Sequence, residues 1–312
     1  MTRVHGPRAP RSMIEPTDRR THVTRKILST DLDGTILFDG RVRDEDLAAM
    51  RRWREAGHLL VMNTGRSVAA LHSALDPSGL EFDYAVLYSG AVLTDGDYEV
   101  LHVTGMPDGV PDGVLELVDD APGVTVFTTT LDGDLQLYDS IGSGTGLLTL
   151  FTPGTTADLA GRSVIGVPLR VADGPVFERI RDGVEQRWGG AVIGFRNQDF
   201  YDLVPAGVSK GLGLTELVSE LTAPDGPYAG ETVETWTVGD SWNDIPMHEL
   251  ADHPVAMASA PPEVVDVCEC TTPSVAAVVD WVLSAEAVPD HAATWRDADG
   301  VMTWPSRPGE LA

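Results

Sequence analysis

Two aspartates, Asp31 and Asp33, flank a single leucine and run straight into Gly34 and Thr35, at the point where the apolar stretch Lys26-Ile-Leu-Ser-Thr gives way to a turn. In an extended segment residues i and i+2 face the same side, so both carboxylates can enter one pocket while Gly34 lets the backbone turn tightly beneath them. Like charges held that close call for a cation. Taken alone, Asp-Gly-Thr is also an ordinary turn with a helix cap. The preceding strand pattern favours a site, because ligands of open α/β sheets gather at the carboxyl ends of strands.

Three further segments have the same strand-then-loop form. Val61-Met-Asn-Thr64-Gly65-Arg66 offers a hydroxyl and backbone N–H groups suited to a phosphate oxygen. Thr-Gly after a strand is commonplace, however, and Arg66 reads equally as a solvated residue at a helix start. In Val208-Ser209-Lys210-Gly211, Ser209 can cap a helix and Lys210 falls in its first turn, against the helix dipole, which an anionic partner would explain. Gly239-Asp240-Ser-Trp-Asn243-Asp244 is a second acidic loop after an apolar strand. Asp31, Asp33 and Asp240 form an all-oxygen donor set, free of His and Cys, of the kind a hard Mg²⁺ takes. Asp244 either ligates through water or anchors Lys210.

Positioning these loops requires a sheet. Helical spacing of Leu47, Met50 and Trp53 predicts a helix over Asp44 to Ala56, and His58 to Thr64 is a near-continuous apolar run typical of a strand buried on both faces. Ser67 can cap the next helix, and Tyr84 to Gly90 supplies a third strand, giving the alternation of a doubly wound α/β fold. From about Asp95 the texture changes to hairpins, Val124 to Thr130 and Asp134 to Asp139 around Leu-Asp-Gly-Asp. Strands over Val164 to Val171 and Ala191 to Arg196 enclose a helix from Pro175 to Trp188 that carries Val176, Ile180, Val184 and Trp188 on one face. The α/β texture resumes with a helix over Ser209 to Leu221, strands Thr235 to Asp240 and Pro254 to Ala258, and a last helix near Ser274 to Leu283.

The expected organisation is a tail over 1–22, a discontinuous α/β core over 23–94 and 204–285, an inserted α+β domain over 95–203, and a C-terminal tail over 286–312. That tail holds Trp295, Met302 and Trp304. A chain of 312 residues with 42% hydrophobic content suits two packed units. The 48 acidic against 22 basic residues, a net charge of -26, argue against nucleic acid and anionic membranes as partners, and any anionic substrate needs local cations. Cys268 and Cys270 are the two cysteines, too few for a disulfide framework or a zinc site. No apolar run reaches the roughly 20 residues that span a bilayer, and the N-terminus has no signal-like apolar region, so a cytoplasmic protein is expected.

In this order, Asp31 to Thr35, the strand ending at Thr64, Lys210, and Gly239-Asp240 with Asp244 resemble the four motifs of the haloacid dehalogenase superfamily, in its Cof-type sugar-phosphatase branch. The run Val255-Ala-Met-Ala-Ser-Ala260 is similar too, and the resemblance covers roughly Lys26 to Leu283. It implies a Rossmann-like core with a class IIB cap inserted between the second and third motifs. It also implies a phosphatase that needs Mg²⁺ and acts on a small phosphorylated metabolite. By resemblance Asp31 is the nucleophile and Asp33 the general acid and base. The Asp31 carboxylate, the Asp33 backbone carbonyl and Asp240 hold the metal, with Asp244 nearby, and Thr64, Gly65, Lys210 and Asn243 bind the phosphoryl group. Family members often carry Asn where this chain has Ser89. The competing readings are a phosphomannomutase-like phosphotransferase and a phospho-ligand-binding protein without turnover. Trp188, Phe195, Arg196, Asn197 and Tyr201 are candidates for substrate choice.

Overall fold

The computed structural model describes residues 24–142, 151–172, 174–197 and 200–287. The tail expected over 1–22, and Trp295, Met302 and Trp304 in the other tail, lie outside the described residues.

Eight strands form the larger sheet, in the spatial order Cys270–Thr272, His253–Met257, Thr232–Gly239, Thr24–Thr30, Leu59–Asn63, Tyr84–Leu87, Val92–Asp95 and Val100–Val103. The first six run parallel, Val92–Asp95 runs against them, and Val100–Val103 turns back antiparallel to Val92–Asp95. Successive side chains alternate between faces, and the sequence supplies apolar groups for both. Ile27, Leu59, Val61 and Val86 pack on one face against Leu214, Leu217 and Leu221 of helix Lys210–Thr222. Their neighbours Leu28, Leu60, Met62 and Ala85 pack on the other face with Met50 and Trp53 of helix Asp44–Glu55 and Val278 and Val279 of helix Val275–Ala287. Each fully buried aliphatic chain contributes roughly 1.5–3 kcal/mol, so the doubly covered sheet is a firm platform for the loops at its end.

Six strands form the second sheet, in the order Thr152–Pro153, Gly133–Asp139, Val124–Thr130, Val164–Val171, Phe200–Pro205 and Val192–Asn197, antiparallel except for the first pair. Helices Val110–Val118 and Pro175–Trp188 cover one face, with Val114, Ile180 and Val184 packed on Val126, Leu169 and Leu203. Trp188 and Tyr201, two of the candidates for substrate choice, belong to this packing.

Three details differ from expectation. The insertion is expected from about Asp95, but Val100–Val103 is still a strand of the larger sheet, because Asp95 folds the chain back by accepting from the backbone of Asp97 and Glu99, and the returning strand pairs with Val92–Asp95. The strand expected to reach Gly90 ends at Leu87 in a 3-10 turn in which Tyr88 and Ser89 have φ of 50° and 54°. The last helix continues to Ala287, past the expected start of the C-terminal tail.

Candidate active site

The four motif loops leave the same edge of the larger sheet. Strand Thr24–Thr30 delivers Asp31, whose backbone N–H still donates to Val238 O at 2.9 Å and so ties the first loop to the strand that delivers Asp240. Gly34 makes the turn with φ of 87°, and a Cβ there would collide with the Asp240 carboxylate. Only glycine lets the two acidic loops approach this closely. Strand Leu59–Asn63 delivers Thr64, and Asn63 reaches sideways to donate to Ser29 Oγ at 3.1 Å and Lys210 O at 3.0 Å, locking the second and third loops together.

Lys210 begins its helix behind Ser209, whose hydroxyl accepts from Leu212 N at 3.1 Å. Its ammonium lies 2.6 Å from Asp31 Oδ1 and 2.6 Å from Asp244 Oδ1, with all three side chains buried. Burial opposes the Lys210 charge, but Asp244 and then Asp31 outweigh it and hold the amine well above the usual lysine range. Burial pushes Asp31 upward; Lys210 pulls it back, while Asp244 and Asp33 add to the rise. Asp240 rises to about 6, from burial first and Asp244 second. Asp244 also accepts from the backbone of Asp240 and Ser241 at 2.9 Å each, so it anchors both Lys210 and the acidic loop.

The Asp31, Asp240 and Asp244 carboxylates offer ligand atoms within 4.8 Å of one another. Three carboxylates against one ammonium leave two negative charges unmatched. With no imidazole or thiolate among these donors, that excess fits a hard divalent cation. The one other such group among the described residues, His102 with Glu216 and Glu220, is partly exposed and shares no residue with these loops.

The second loop faces the same edge with a hydroxyl and bare backbone. Thr64 is buried, and its hydroxyl accepts from Arg66 N at 3.2 Å, which leaves its own proton for a ligand oxygen. A Cβ on Gly65 would sit 3.2 Å from Ser89 Oγ, so the bare backbone makes room there. Ser89 is held in its left-handed conformation by its N–H to Thr64 O at 3.1 Å, and Tyr88 by its hydroxyl to Thr130 O of the second sheet at 3.1 Å. Asn243 is buried in the turn between Asp240 and Asp244, and its amide makes no hydrogen bond among the described residues. The structure therefore gathers Asp31, Thr64, Gly65, Lys210, Asp240, Asn243 and Asp244 around one edge.

Asp33 differs from its neighbours. Both its oxygens accept from Arg66, Nε and Nη2, at 2.7 Å each, and half of its side chain is exposed. Arg66 is fixed in turn by Nη1 to Ala70 O at 3.2 Å. It is thus a residue of the site rather than a solvated helix start, and its adjacency to Thr64-Gly65 is the sequence signal that marks it. Of the other candidates for substrate choice, Phe195 packs against the larger domain's core, and Arg196 lies over the Phe177 ring. The Asn197 side chain lies outside the described residues.

A family model described as haloacid dehalogenase-like hydrolase matches residues 28–142 and 153–280. YxeH of Bacillus subtilis, a provisionally assigned phosphatase, is 25% identical over 80% of this chain and 93% of its own length. The 5-amino-6-(5-phospho-D-ribitylamino)uracil phosphatase YwtE, also of Bacillus subtilis, is 23% identical over 84% and 99%. Among solved structures, the subclass IIB sugar phosphatase BT4131 shares the fold with a TM-score of 0.64 at 19% identity, covering 85% of this chain and 98% of that one. No helix among the described residues is long and apolar enough to cross a membrane. The inserted sheet between the second and third loops and the family match along most of the chain agree, and the chain belongs to the haloacid dehalogenase-like hydrolases as a Cof-type phosphatase.

Proposed function

We propose that this phosphatase is Mg²⁺-dependent, hydrolyses small phosphorylated metabolites such as sugar phosphates, and works through a phosphoaspartate on Asp31. The observation that carries the reading is Lys210, buried and bonded at 2.6 Å to both Asp31 and Asp244 beside Asp240. An ammonium in that place neutralises the approach of an anionic phosphoryl group to an anionic nucleophile. The ligands of the reading are Asp31, the Asp33 carbonyl and Asp240, with Asp244 alongside; Mg²⁺ bound there supplies positive charge for the phosphoryl oxygens.

In the first step Asp31 Oδ attacks phosphorus in line, and the P–O bond to the alcohol breaks as Asp33 gives a proton to the departing oxygen. In the second, Asp33 takes a proton from water, whose oxygen attacks the phosphoaspartate phosphorus and releases phosphate, restoring Asp31. Thr64, the Gly65 backbone, Lys210 and Asn243 bind the transferring group throughout. The substrate class draws support from the two relatives whose names state it, since a ribityl phosphate and a sugar phosphate both carry polyhydroxy leaving groups. A cytoplasmic setting belongs to the same reading and agrees with two free cysteines.

The test is phosphate release from a panel of sugar phosphates, nucleotides and phosphorylated cofactors, with and without Mg²⁺, by wild type and Asp31→Asn. Mg²⁺-dependent release that disappears in the variant is expected. Survival of activity in Asp31→Asn would refute the phosphoaspartate, and transfer of phosphate to a second sugar hydroxyl without net release would establish the phosphotransferase reading instead.

A further inference from the structure

Asp202 lies on strand Phe200–Pro205, the last strand of the inserted sheet before Lys210. Tyr201 and Leu203 point into the core of the inserted domain, so by the period of two Asp202 and Val204 point the other way, and Val204 packs into the core of the larger domain. The Asp202 carboxylate thereby faces the phosphate loop: Oδ2 is 3.8 Å from the point where a Cβ on Gly65 would sit, on which Ser89 Oγ also closes at 3.2 Å. The side chain keeps part of its surface open although it lies deep in the protein. Burial pushes it up to about 7, with Lys210 the one charge that pulls it back.

No donor among the described residues bonds to this carboxylate. Its oxygens are not among the buried side-chain atoms that lack a partner, so the carboxylate remains open to a donor from outside the protein. It is not one of the carboxylates gathered around Asp31 and Asp240, and its charge repels the phosphoryl group, so what it can favour is the other half of a substrate, the leaving alcohol. The nearby Lys210 charge disfavours a cationic leaving group, which leaves neutral hydrogen donors. Ser89, beside the same glycine, can give or take a bond with a neighbouring hydroxyl.

We infer that Asp202 is the specificity-determining residue of the site, accepting hydrogen bonds from hydroxyl groups of a polyhydroxy leaving alcohol. The inference rests on the phosphatase reading and deepens it. Sorbitol 6-phosphate and n-hexyl phosphate test it, since both are primary alkyl monoesters with the same carbon count and differ in hydroxyls. With a charged acceptor removed, the ratio of kcat/KM for the polyol phosphate to that for the alkyl phosphate is expected to fall roughly 10- to 100-fold in Asp202→Ala. Asp202→Asn, which keeps the shape and one acceptor oxygen, guards against a folding defect and should show a smaller fall in the same direction. A ratio within about threefold of wild type in both variants overturns the inference alone. Absence of phosphate release from any substrate by wild type overturns the phosphatase reading and the inference with it.

Discussion

Replacing Lys210 by Met keeps most of the chain's bulk and removes the ammonium, leaving Asp31 and Asp244 buried with no cation between them. Removing one partner from a buried ion pair costs about 3–5 kcal/mol, because the remaining charge keeps its desolvation penalty without compensation. Two carboxylates lose their partner here, but protonation of one of them limits the cost, so a loss of about 3–5 kcal/mol is expected at alkaline pH in a chelator. That is a large share of the about 5–15 kcal/mol that holds a typical domain together. The pH dependence has a definite sign. Burial already holds the Asp31 carboxyl above the unfolded value of about 3.9, and without the opposing Lys210 charge it rises further. Protonated Asp31 is tolerated below that value, and the deficit grows as pH rises from there to the elevated folded value, above which it levels off. Urea unfolding of wild type and Lys210→Met in EDTA, at about pH 5 and about pH 8, measures it. Excess Mg²⁺ should recover part of the deficit at the higher pH, since the bound cation replaces missing positive charge. A loss under about 1 kcal/mol at pH 8, or one of equal size at both pH values, would refute the reasoning that this lysine neutralises a buried acidic site.

Two smaller perturbations probe the contact between the domains and the geometry of the acidic loops. Asp134, on the inserted sheet, is 5% exposed, accepts from Ser67 Oγ of the core, has a second oxygen without a partner, and is pushed by burial up to about 6. Its ionisation therefore weakens the fold as pH rises from about 4 to about 6, and Asp134→Asn should stabilise the protein by about 1–3 kcal/mol at pH 7.5 and by nothing at pH 4, as read by urea midpoints at the two pH values. Gly34→Ala forces a Cβ into left-handed backbone and against Asp240. A cost of about 1–3 kcal/mol together with a reduced Mg²⁺-induced rise in Tm is the expected result, and an unchanged rise would show that Gly34 does not set the spacing of the acidic loops.

What could be read from the chain depended on whether the relevant signal was local. Helix Pro175–Trp188 and strands Val124–Thr130 and Val164–Val171 match their expected limits because the start proline, the apolar spacing and the flanking turns all lie within a few residues. Strand Val100–Val103 resembles the insertion in texture, and only its pairing with Val92–Asp95 gives it to the larger sheet. The acidic loops were legible for the same local reason, since strand, carboxylate and glycine are consecutive. The Arg66–Asp33 fork was not, because it joins residues 33 apart and depends on the carbonyl of Ala70 to aim the guanidinium. Asp202 shows the limit most plainly. Alternation along Phe200–Pro205 separates it from Tyr201 and Leu203, so its opposite orientation could have been read from the chain. That this opposite face meets Gly65 and Ser89 follows only from how the second sheet is seated on the first, through Tyr88 to Thr130, Ser67 to Asp134 and Met106 to Val164. The residues that perform chemistry are thus fixed by short stretches of sequence at strand ends, whereas those that would choose the substrate are fixed by the meeting of two domains, and a substitution at that meeting can change specificity while the acidic loops stay as they are.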